Sequence, residues 1–322
     1  MAVSKVVRWG VLGTGSIAKT FASDLSLINE GVVVAVGSRS AAGANAFADQ
    51  FSVENRYDSY EALVLDGAVD AVYVATPHPF HLVHASLALD AGKAVLVEKS
   101  FTMNATEARE LVALSRARGL FLMEAMWTRF LPHVAALRDL VGSGEIGEIV
   151  TFEADHGKWF APDPKSRLFA PELGGSALLD LGIYPVSFSS MLLGTPQWMT
   201  AVIEPAFSGV DAMATMIFRY ESGAHALLSC TSSARSATRA CVTGSRARVE
   251  IDGDFYAPSA LNVIDRHGEK RRYEFPTRGR GLHYEAREVA RCLDEGLTES
   301  PFMPLDESVS IMATLDQVLS FA

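Results

Sequence analysis

An acid and a phenol stand four residues apart in an apolar segment of this 322-residue chain. Asp180 and Tyr184 belong to the run GGSALLDLGIYPVSFSSMLLG, which is predicted to be helical, and a spacing of four places both side chains on one helical face. A carboxylate in apolar surroundings needs a partner, and Lys99 in the run VLVEKS is the candidate. The three residues together indicate proton transfer beside a bound nucleotide.

Tyr184 is the group suited to exchanging a proton with an alcohol. A phenol with a pKa of about 10 is a poor base at neutral pH, but a neighbouring ammonium group stabilises the phenolate. We therefore expect Lys99 to lower the pKa of Tyr184 and to orient the substrate hydroxyl, while Asp180 keeps Lys99 protonated. The alternative is a structural pair, in which Asp180 and Tyr184 satisfy backbone groups freed by Pro185.

A glycine-rich turn near the N-terminus predicts the nucleotide site. The run WGVLGTGSIAK holds the GxGxxG/A pattern between a predicted strand and a predicted helix, as dinucleotide binding requires. Gly13 and Gly15 let the backbone approach a pyrophosphate, and the free amides at Ser16 and Ile17 favour negative charge at the helix N-terminus. A plain strand-to-helix turn is the alternative.

The end of the second predicted strand indicates which dinucleotide binds. An acid about 20 residues after the turn would accept hydrogen bonds from the ribose of NAD, but the run VAVGSRSAAG contains none. It offers Ser38, Arg39 and Ser40, and a guanidinium group is suited to a 2′-phosphate. We therefore expect NADP(H) to be preferred and NAD(H) to remain possible. The alternative is that Arg39 is a solvated loop cation.

Two further loops are expected at the same edge of the sheet. One is VATPHPFHLVHA, and the other is the end of AVLVEKS, so both reach the carboxyl edge where ligands bind. The candidates for cofactor contacts in these loops are Thr76, Pro77, His78, His81, Glu98 and Lys99. The spacing of His78, His81 and His84 resembles a metal site, but no cysteine or carboxylate completes the set, so no metal is predicted.

The elements that position these residues change character along the chain. Over the first 125 residues, short β-branched runs alternate with helical patterns, which predicts a doubly wound parallel sheet. Within this part, Asn104 and Glu107 predict a helix N-cap and Gly119 the end of the same helix. Longer alternating strands follow, which indicates a mostly antiparallel sheet with helices. We expect an α/β chain with a cofactor domain at 1–125 and an α+β substrate domain at 126–322.

Composition excludes some classes of protein. The chain is 49% hydrophobic and 20% charged, which is ordinary for globular domains, and its net charge of −10 disfavours nucleic acid and anionic membranes as partners. No signal peptide and no apolar run of transmembrane length are predicted. The three cysteines, Cys230, Cys241 and Cys292, show no CxxC spacing, so neither disulfides nor zinc is indicated. We expect a cytoplasmic protein.

Together the motifs resemble a known family. The glycine-rich turn, the ATPxxxH loop, the Glu98-Lys99 pair and the GGxxxxDxGxY pattern resemble glucose-fructose oxidoreductase, inositol dehydrogenase and their relatives. The longer runs GLFLMEAMWTRFLP and GGSALLDLGIYPVSF are similar to the branch of dimeric dihydrodiol dehydrogenases, which includes NADP-dependent D-xylose dehydrogenases.

That resemblance implies a Rossmann domain followed by a domain with an open-faced sheet, with the substrate between them and hydride transfer to or from nicotinamide. It implies that Lys99 is the strand-end lysine of the family, Asp180 the helix aspartate, and Tyr184 the proton donor or acceptor, where many relatives have histidine. It also implies a homodimer that forms through the open sheet. Ser100 stands where relatives commonly have proline, which leaves the placement of Lys99 open.

Substrate identity is the part that the sequence leaves most open. Trp127, Arg129, Trp159 and Phe160 are candidates for substrate contacts, because aromatic faces suit a cyclohexadiene diol or the apolar face of a sugar. Core packing is the alternative for each tryptophan. Two function classes are carried forward: an NADP-dependent dehydrogenase for a cyclic polyol, a D-xylose-like sugar or a trans-dihydrodiol, and a non-catalytic NADP(H)-binding sensor or regulator.

Overall fold

The computed structural model describes residues 6–322. The chain folds into two compact units, which are described separately. The first runs to Phe130 and includes Arg278–Val309, and the second consists of Leu131–Thr277 with Ser310–Ala322. The first five residues, on which part of the signal-peptide expectation rests, lie outside the described residues.

The helices are numbered in chain order as α1 (Ser16–Leu25), α2 (Ala41–Phe51), α3 (Tyr60–Val64), α4 (His81–Asp90), α5 (Ala105–Arg118), α6 (Pro132–Gly142), α7 (Ile183–Leu193), α8 (Leu282–Asp294) and α9 (Leu305–Leu319). The strands of the first unit are β1 (Val7–Leu12), β2 (Gly31–Gly37), β3 (Asn55–Tyr57), β4 (Ala71–Val74), β5 (Ala94–Glu98) and β6 (Leu122–Ala125). Those of the second are β7 (Ile149–Gly157), β8 (Trp198–Pro205), β9 (Asp211–Arg219), β10 (His225–Thr231), β11 (Ala240–Gly244), β12 (Ala247–Ile251), β13 (Leu261–Asp265) and β14 (Lys270–Tyr273).

The six strands of the first unit form one parallel sheet in the order β3-β2-β1-β4-β5-β6. The doubly wound parallel sheet is therefore confirmed. The strand order reverses between β1 and β4, which is where such sheets bind their ligands, outside the carboxyl ends of the strands. The glycine-rich turn follows β1 and the ATPxxxH loop follows β4, so both stand at this switch point.

Helix α5 forms as its local sequence predicts. The side chain of Asn104 accepts a hydrogen bond from the backbone N–H of Glu107 at 2.9 Å, which satisfies one of the free donors of the first turn. The carboxylate of Glu107 accepts in return from the N–H of Met103 at 3.1 Å. Gly119 ends the helix with φ of +63°, a left-handed conformation that glycine adopts without steric cost. The chain therefore turns sharply into β6.

The segment Arg278–Val309 folds with the first unit, whereas we expected residues 126–322 to form the second domain. The cause is a set of contacts between α8 and α1. The buried carboxylate of Asp24 on α1 accepts hydrogen bonds from the backbone N–H groups of Arg280 at 2.9 Å and Leu282 at 2.8 Å. The start of α8 is thereby tied to the helix that follows the glycine-rich turn.

The second unit contains an eight-stranded sheet in the order β14-β13-β12-β11-β7-β10-β9-β8. The β7–β10 pair is parallel and the other neighbours are antiparallel, so a mostly antiparallel sheet is confirmed. Along β9, buried and exposed residues alternate, as expected for a strand with one covered and one open face. Helix α7 packs against β7 and β10 on the covered face.

Helix α7 begins irregularly. A π-helical turn, Leu178–Gly182, precedes it directly, and Pro185 is its third residue. Residues Pro171–Leu193 are long and apolar enough to cross a membrane by length and composition, although no run of that length was expected. The share of its apolar window buried inside the protein is 72%, which is typical of a core helix.

Candidate functional site

The glycine-rich turn has the geometry of a phosphate cradle. Gly13 has φ of +100°, and a Cβ added there would lie 2.7 Å from the carbonyl oxygen of Ala75, so only glycine fits. Gly15 precedes α1, and a Cβ added there would meet no atom within 4 Å. Because Gly15 has no side chain to cap α1, the amides at Ser16 and Ile17 are open to an external acceptor. These residues fit a dinucleotide pyrophosphate.

The loop after β2 carries an exposed cation next to two aromatic rings. Arg39 is exposed, whereas Ser38 is buried and the Ser40 hydroxyl caps α2 by accepting from an N–H at 3.2 Å. Burial raises the pKa of Tyr60 and the charge of Arg39 opposes that rise. Burial lowers the pKa of His84, with Arg39 adding to the fall. The charge of Arg39 thus acts on both rings, whose centroids are 4.5 Å apart.

The three histidines of the ATPxxxH segment brace the loops after β4 and β5. His81 is fully buried, with Nε2 at 2.8 Å from the Thr76 carbonyl oxygen and Nδ1 at 2.9 Å from that of Ser100. Burial lowers the pKa of His81 to about 4, so the ring is neutral and donates one hydrogen bond at a time. His78 Nε2 lies 3.2 Å from the Lys99 carbonyl oxygen, and His84 Nδ1 lies 3.0 Å from the Thr76 hydroxyl.

These hydrogen bonds explain the spacing of the three histidines, and a metal is not needed to explain it. Within residues 6–322, no group of three or more His, Cys, Asp or Glu residues is placed to hold a metal ion. Thr76 and His78 are buried and Pro77 is half-buried at the switch point. Their role as cofactor contacts stays a prediction, and their position at the carboxyl edge is the one expected.

Glu98 points into the first unit, where it supports the end of β5. It is buried and accepts a hydrogen bond from the Tyr73 hydroxyl and another from the backbone N–H of Lys99 at 3.2 Å. Lys99 is partly exposed, and the peptide bond between Lys99 and Ser100 is cis. Glu98 was expected to contact the cofactor, and that contact stays a prediction.

Arg129 differs from its expected role as a substrate contact. Its side chain is only 2% exposed, and it donates to Glu307 Oε1 at 2.7 Å and to the Phe302 carbonyl oxygen at 3.4 Å. A buried guanidinium group needs such partners because desolvation of an unpaired charge is costly. The pair ties the residues after β6 to the start of α9. Trp127, two residues earlier, is also buried, in agreement with the core-packing alternative.

Tyr184 lies in the second unit among aromatic rings. It is 6% exposed, and its ring centroid lies 5.2 Å from that of His156 and 4.8 Å from that of Tyr256. His156 and Tyr256 stack on each other with centroids 4.4 Å apart. The ammonium group of Lys158 lies 4.7 Å from the centre of the Tyr256 ring. The sequence analysis missed these three neighbours, because they belong to separate elements.

Asp180 is paired with a cation that the sequence analysis also missed. Arg167 Nη2 lies 2.8 Å from Asp180 Oδ1, and the exposed fractions of the two side chains are 40% and 15%. Arg167 stands 13 residues earlier in an irregular loop, where no spacing rule connects it to a helix. The aspartate therefore has a guanidinium partner within its own unit.

The two aromatic candidates of the second unit follow β7. Trp159 is 64% exposed, whereas Phe160 is half-buried and its backbone N–H donates to the Ser232 carbonyl oxygen at 3.0 Å. A single exposed apolar side chain is normal on a protein surface, so exposure alone does not assign Trp159 to a ligand. Their contact with a substrate stays a prediction.

Comparisons with known proteins agree with this geometry. Residues 7–126 match an oxidoreductase family with an NAD-binding Rossmann fold, and residues 134–250 match the GFO/IDH/MocA C-terminal domain. Trans-1,2-dihydrobenzene-1,2-diol dehydrogenase of Bos taurus is 38% identical over 323 residues, which are 97% of this chain and 96% of that protein. The protein of the same name from Homo sapiens is 36% identical over 324 residues, with 97% and 96% covered.

Solved structures show the same fold. Aldose-aldose oxidoreductase from Caulobacter crescentus, complexed with glycerol, superposes with a TM-score of 0.91 at 23% identity, covering 99% of this chain and 98% of that one. A 3-ketoreductase from Actinomadura kijaniata, solved with NADP and TDP-benzene, gives a TM-score of 0.88 at 27% identity, with 99% and 98% covered.

Proposed function

Because the chain belongs to the GFO/IDH/MocA family of oxidoreductases, we propose that it is a dehydrogenase that uses NADP(H) on a ring-borne alcohol. Its class as an NAD(P)-dependent dehydrogenase follows from its relatives. The proposed substrate is the secondary alcohol or hemiacetal of a trans-dihydrodiol, a cyclic polyol or a D-xylose-like sugar. The relatives named for trans-1,2-dihydrobenzene-1,2-diol support the first of these.

The observation that carries the proposal is the placement of Tyr184. Its phenol is held at the start of α7 against the stacked rings of His156 and Tyr256 and is almost fully buried. A titratable side chain in such a setting is typical of a proton-transfer residue, because burial and neighbouring groups control its pKa. Tyr184 would accept the hydroxyl proton during oxidation and return it during reduction.

Lys99 and Asp180 complete the proposed chemistry. In oxidation, the carbon–hydrogen bond of the alcohol breaks, its electron pair leaves with the hydride, and the hydroxyl proton passes to Tyr184. The charge of Lys99 would stabilise the phenolate form of Tyr184 before that transfer. Asp180, which Arg167 holds, keeps its proposed role as the acid of the catalytic set. Bound NADP would accept the hydride in this direction and supply it in the other.

The cradle after β1 supports dinucleotide binding, and the cation after β2 supports NADP. Gly13, Gly15 and the open amides of α1 fit a pyrophosphate, as described above. Arg39 is exposed at the carboxyl end of β2, where the ribose is bound in sheets of this type. A guanidinium group there would pair with a 2′-phosphate, whereas a carboxylate in the same place would repel it.

The open face of the second sheet supports a homodimer. Five large apolar side chains are exposed on β8, β9 and β10, namely Trp198, Val202, Met213, Ile217 and Leu227. An apolar patch of this kind on a soluble protein commonly marks an interface. A second copy of this chain is the proposed partner, since a two-fold contact would cover the same face on both copies.

A substrate panel tests the proposed function. Formation of reduced nicotinamide would be followed by absorbance with trans-dihydrodiols, D-xylose, D-glucose and myo-inositol, each with NADP+ and with NAD+. We expect turnover of at least one of these alcohols, with NADP+ preferred. A protein that binds NADP(H) and turns over none of them would instead be a sensor or regulator, and the proposal would be wrong.

A further inference from the structure

We propose that His156 on β7 is a positioning residue for Tyr184. It would hold the start of α7 through the carbonyl group of Leu181 and the phenol ring through its own ring. The inference rests on the proposed function, because it concerns the placement of the proton-transferring phenol. His156 itself is not expected to touch the substrate.

The backbone of α7 lacks one of its regular hydrogen bonds. Pro185 has no N–H, and in a regular α-helix that N–H would bond to the carbonyl oxygen of Leu181, four residues earlier. His156 Nδ1 lies 3.1 Å from this oxygen, within hydrogen-bonding distance. The imidazole therefore donates the hydrogen bond that the proline cannot donate. The turn that it supports is the one directly before Tyr184.

The ring of His156 is fixed in orientation by its hydrogen bond and its burial. Donation to a carbonyl group requires a proton on Nδ1, which fixes the tautomer of a neutral ring and leaves Nε2 as an acceptor. His156 is 1% exposed, so the ring has little room to rotate. Its plane is 65° from that of Tyr184, an edge-to-face arrangement that aromatic rings favour.

The rings of His156, Tyr184 and Tyr256 contact one another. Tyr256 stacks on His156 at an interplanar angle of 25° and contacts Tyr184 at 45°. Each ring thus contacts the other two, and Tyr184 cannot turn about its side-chain bonds without displacing a neighbour. Lys158 lies over Tyr256 and adds a cation–π contact to the same group.

Exact placement of the phenol matters because proton transfer requires hydrogen-bonding distance to the alcohol. A displacement of about 1 Å in a reacting group can cost about 100-fold in rate. Loss of the His156 hydrogen bond removes a donor from the Leu181 carbonyl group and loosens the turn that carries Tyr184. Turnover should therefore fall, while binding of substrate and cofactor should change little.

Two variants separate the hydrogen bond from the ring contact. His156→Phe keeps an aromatic ring and removes the donor, whereas His156→Asn keeps an N–H near the position of Nδ1 and removes the ring. We expect His156→Phe to lower kcat about 10- to 100-fold, with KM and the Kd for NADP(H) within about twofold of wild type. His156→Asn should recover part of the lost turnover, because it restores the donor to the Leu181 carbonyl group but not the ring contact with Tyr184. Hydrogen exchange of the amides from 181 to 186 should be faster in His156→Phe than in the wild type.

Tyr220→Phe is the matched control. Tyr220 is buried in the same unit and its hydroxyl group bonds to Ser189, also on α7, so this variant also removes a buried hydrogen bond at that helix. It should lower Tm without lowering kcat. Equal loss of kcat in Tyr220→Phe and His156→Phe would mean general destabilisation and would overturn the role of His156.

The outcomes distinguish the two proposals. An active wild type whose kcat is unchanged in His156→Phe contradicts only the positioning role. A wild type that turns over no alcohol contradicts the proposed function, and the role of His156 fails with it. Faster exchange at residues 181–186 with unchanged kcat would show a structural role alone.

Discussion

Arg167 holds Asp180 through a contact of 2.8 Å between Nη2 and Oδ1. The pair joins an irregular loop to the π-helical turn before α7, and it gives the predicted catalytic aspartate a charged partner within its own unit. A carboxylate that is oriented by a guanidinium group has fewer rotamers available to it. The orientation of Asp180 therefore depends on the loop as well as on the helix.

Arg167→Met should lower kcat/KM about three- to tenfold and leave stability nearly unchanged. Arg167 is partly exposed, so the pair contributes only about 0–1 kcal/mol to the free energy of unfolding. The loss of activity would come from a less ordered Asp180. Steady-state kinetics and thermal unfolding measure the two effects. Arg118→Met is the control, because it removes a similarly exposed pair with Asp90 and should leave kcat/KM unaltered.

Tyr184→Phe should retain binding of NADP(H) and lose turnover by about 100-fold or more, the usual contribution of a general acid or base. The substitution removes one hydroxyl group and keeps the ring that contacts His156 and Tyr256. Cofactor titration by fluorescence and initial rates measure binding and turnover. Turnover equal to that of the wild type would remove Tyr184 from the mechanism.

The parts of the fold that depend on neighbouring residues in sequence could be predicted. The parallel sheet, the cap at Asn104 and the turn at Gly13 each follow from a short run of sequence. The return of Arg278–Val309 to the first unit could not be predicted. It depends on hydrogen bonds that Asp24 accepts from backbone N–H groups about 256 residues away. No local pattern marks such a contact.

The candidate site divides in the same way. Lys99 and Tyr184 stand out by type and position, whereas Arg167 and His156 are ordinary polar residues until the fold brings them to α7. Arg129 was a candidate for a substrate contact by its place in the run EAMWTRF, and the fold buries it against Glu307. The roles of these residues depend on burial and on pairing with residues distant in sequence. Neither can be read from the spacing of residues along the chain.

Arg39→Ala should weaken NADP(H) about 10- to 100-fold relative to NAD(H), since a charge-assisted hydrogen bond contributes about 1.5–3 kcal/mol. Arg39 is exposed beside Tyr60 and His84, so its removal should leave the fold intact. The ratio of kcat/KM for the two cofactors is the measurement. Arg56→Ala removes another arginine of the unit, one that pairs with Asp49, and should leave that ratio unchanged. An unaltered ratio in Arg39→Ala would show that this cation is solvated.

His133 predicts a loss of stability in acid. Burial lowers its pKa from 6.5 to about 4, and its Nε2 lies 3.0 Å from the Phe255 carbonyl oxygen. The folded-state pKa of His133 therefore lies below the unfolded value. The contribution of the neutral His133 ring to the free energy of unfolding is fully present above pH 6.5 and is lost as the pH falls through about 4. The shift corresponds to about 3 kcal/mol at most.

His133→Asn removes this titrating group. The variant should be less stable than the wild type at pH 7, because a buried ring is lost, but its free energy of unfolding should fall less steeply between pH 6.5 and pH 4. Urea unfolding at several pH values measures both. His267→Asn changes an exposed histidine and should follow the wild-type curve. If the free energies of unfolding of His133→Asn and the wild type fell equally steeply with pH, the prediction would be contradicted.

Ile217→Glu should convert the proposed homodimer to a monomer. Ile217 is 42% exposed on β9, and its cross-strand neighbours are Thr200 on β8 and Leu227 on β10, so it stands in the middle of the open face. A carboxylate there would be desolvated without a partner on the facing copy, which destabilises association by several kcal/mol. Light scattering after size-exclusion chromatography gives the mass. Val83→Glu places the same charge on an exposed apolar position of α4 in the other unit and should leave the mass unchanged. A wild type that is monomeric, or an Ile217→Glu variant that stays dimeric, would show that this face is not the interface.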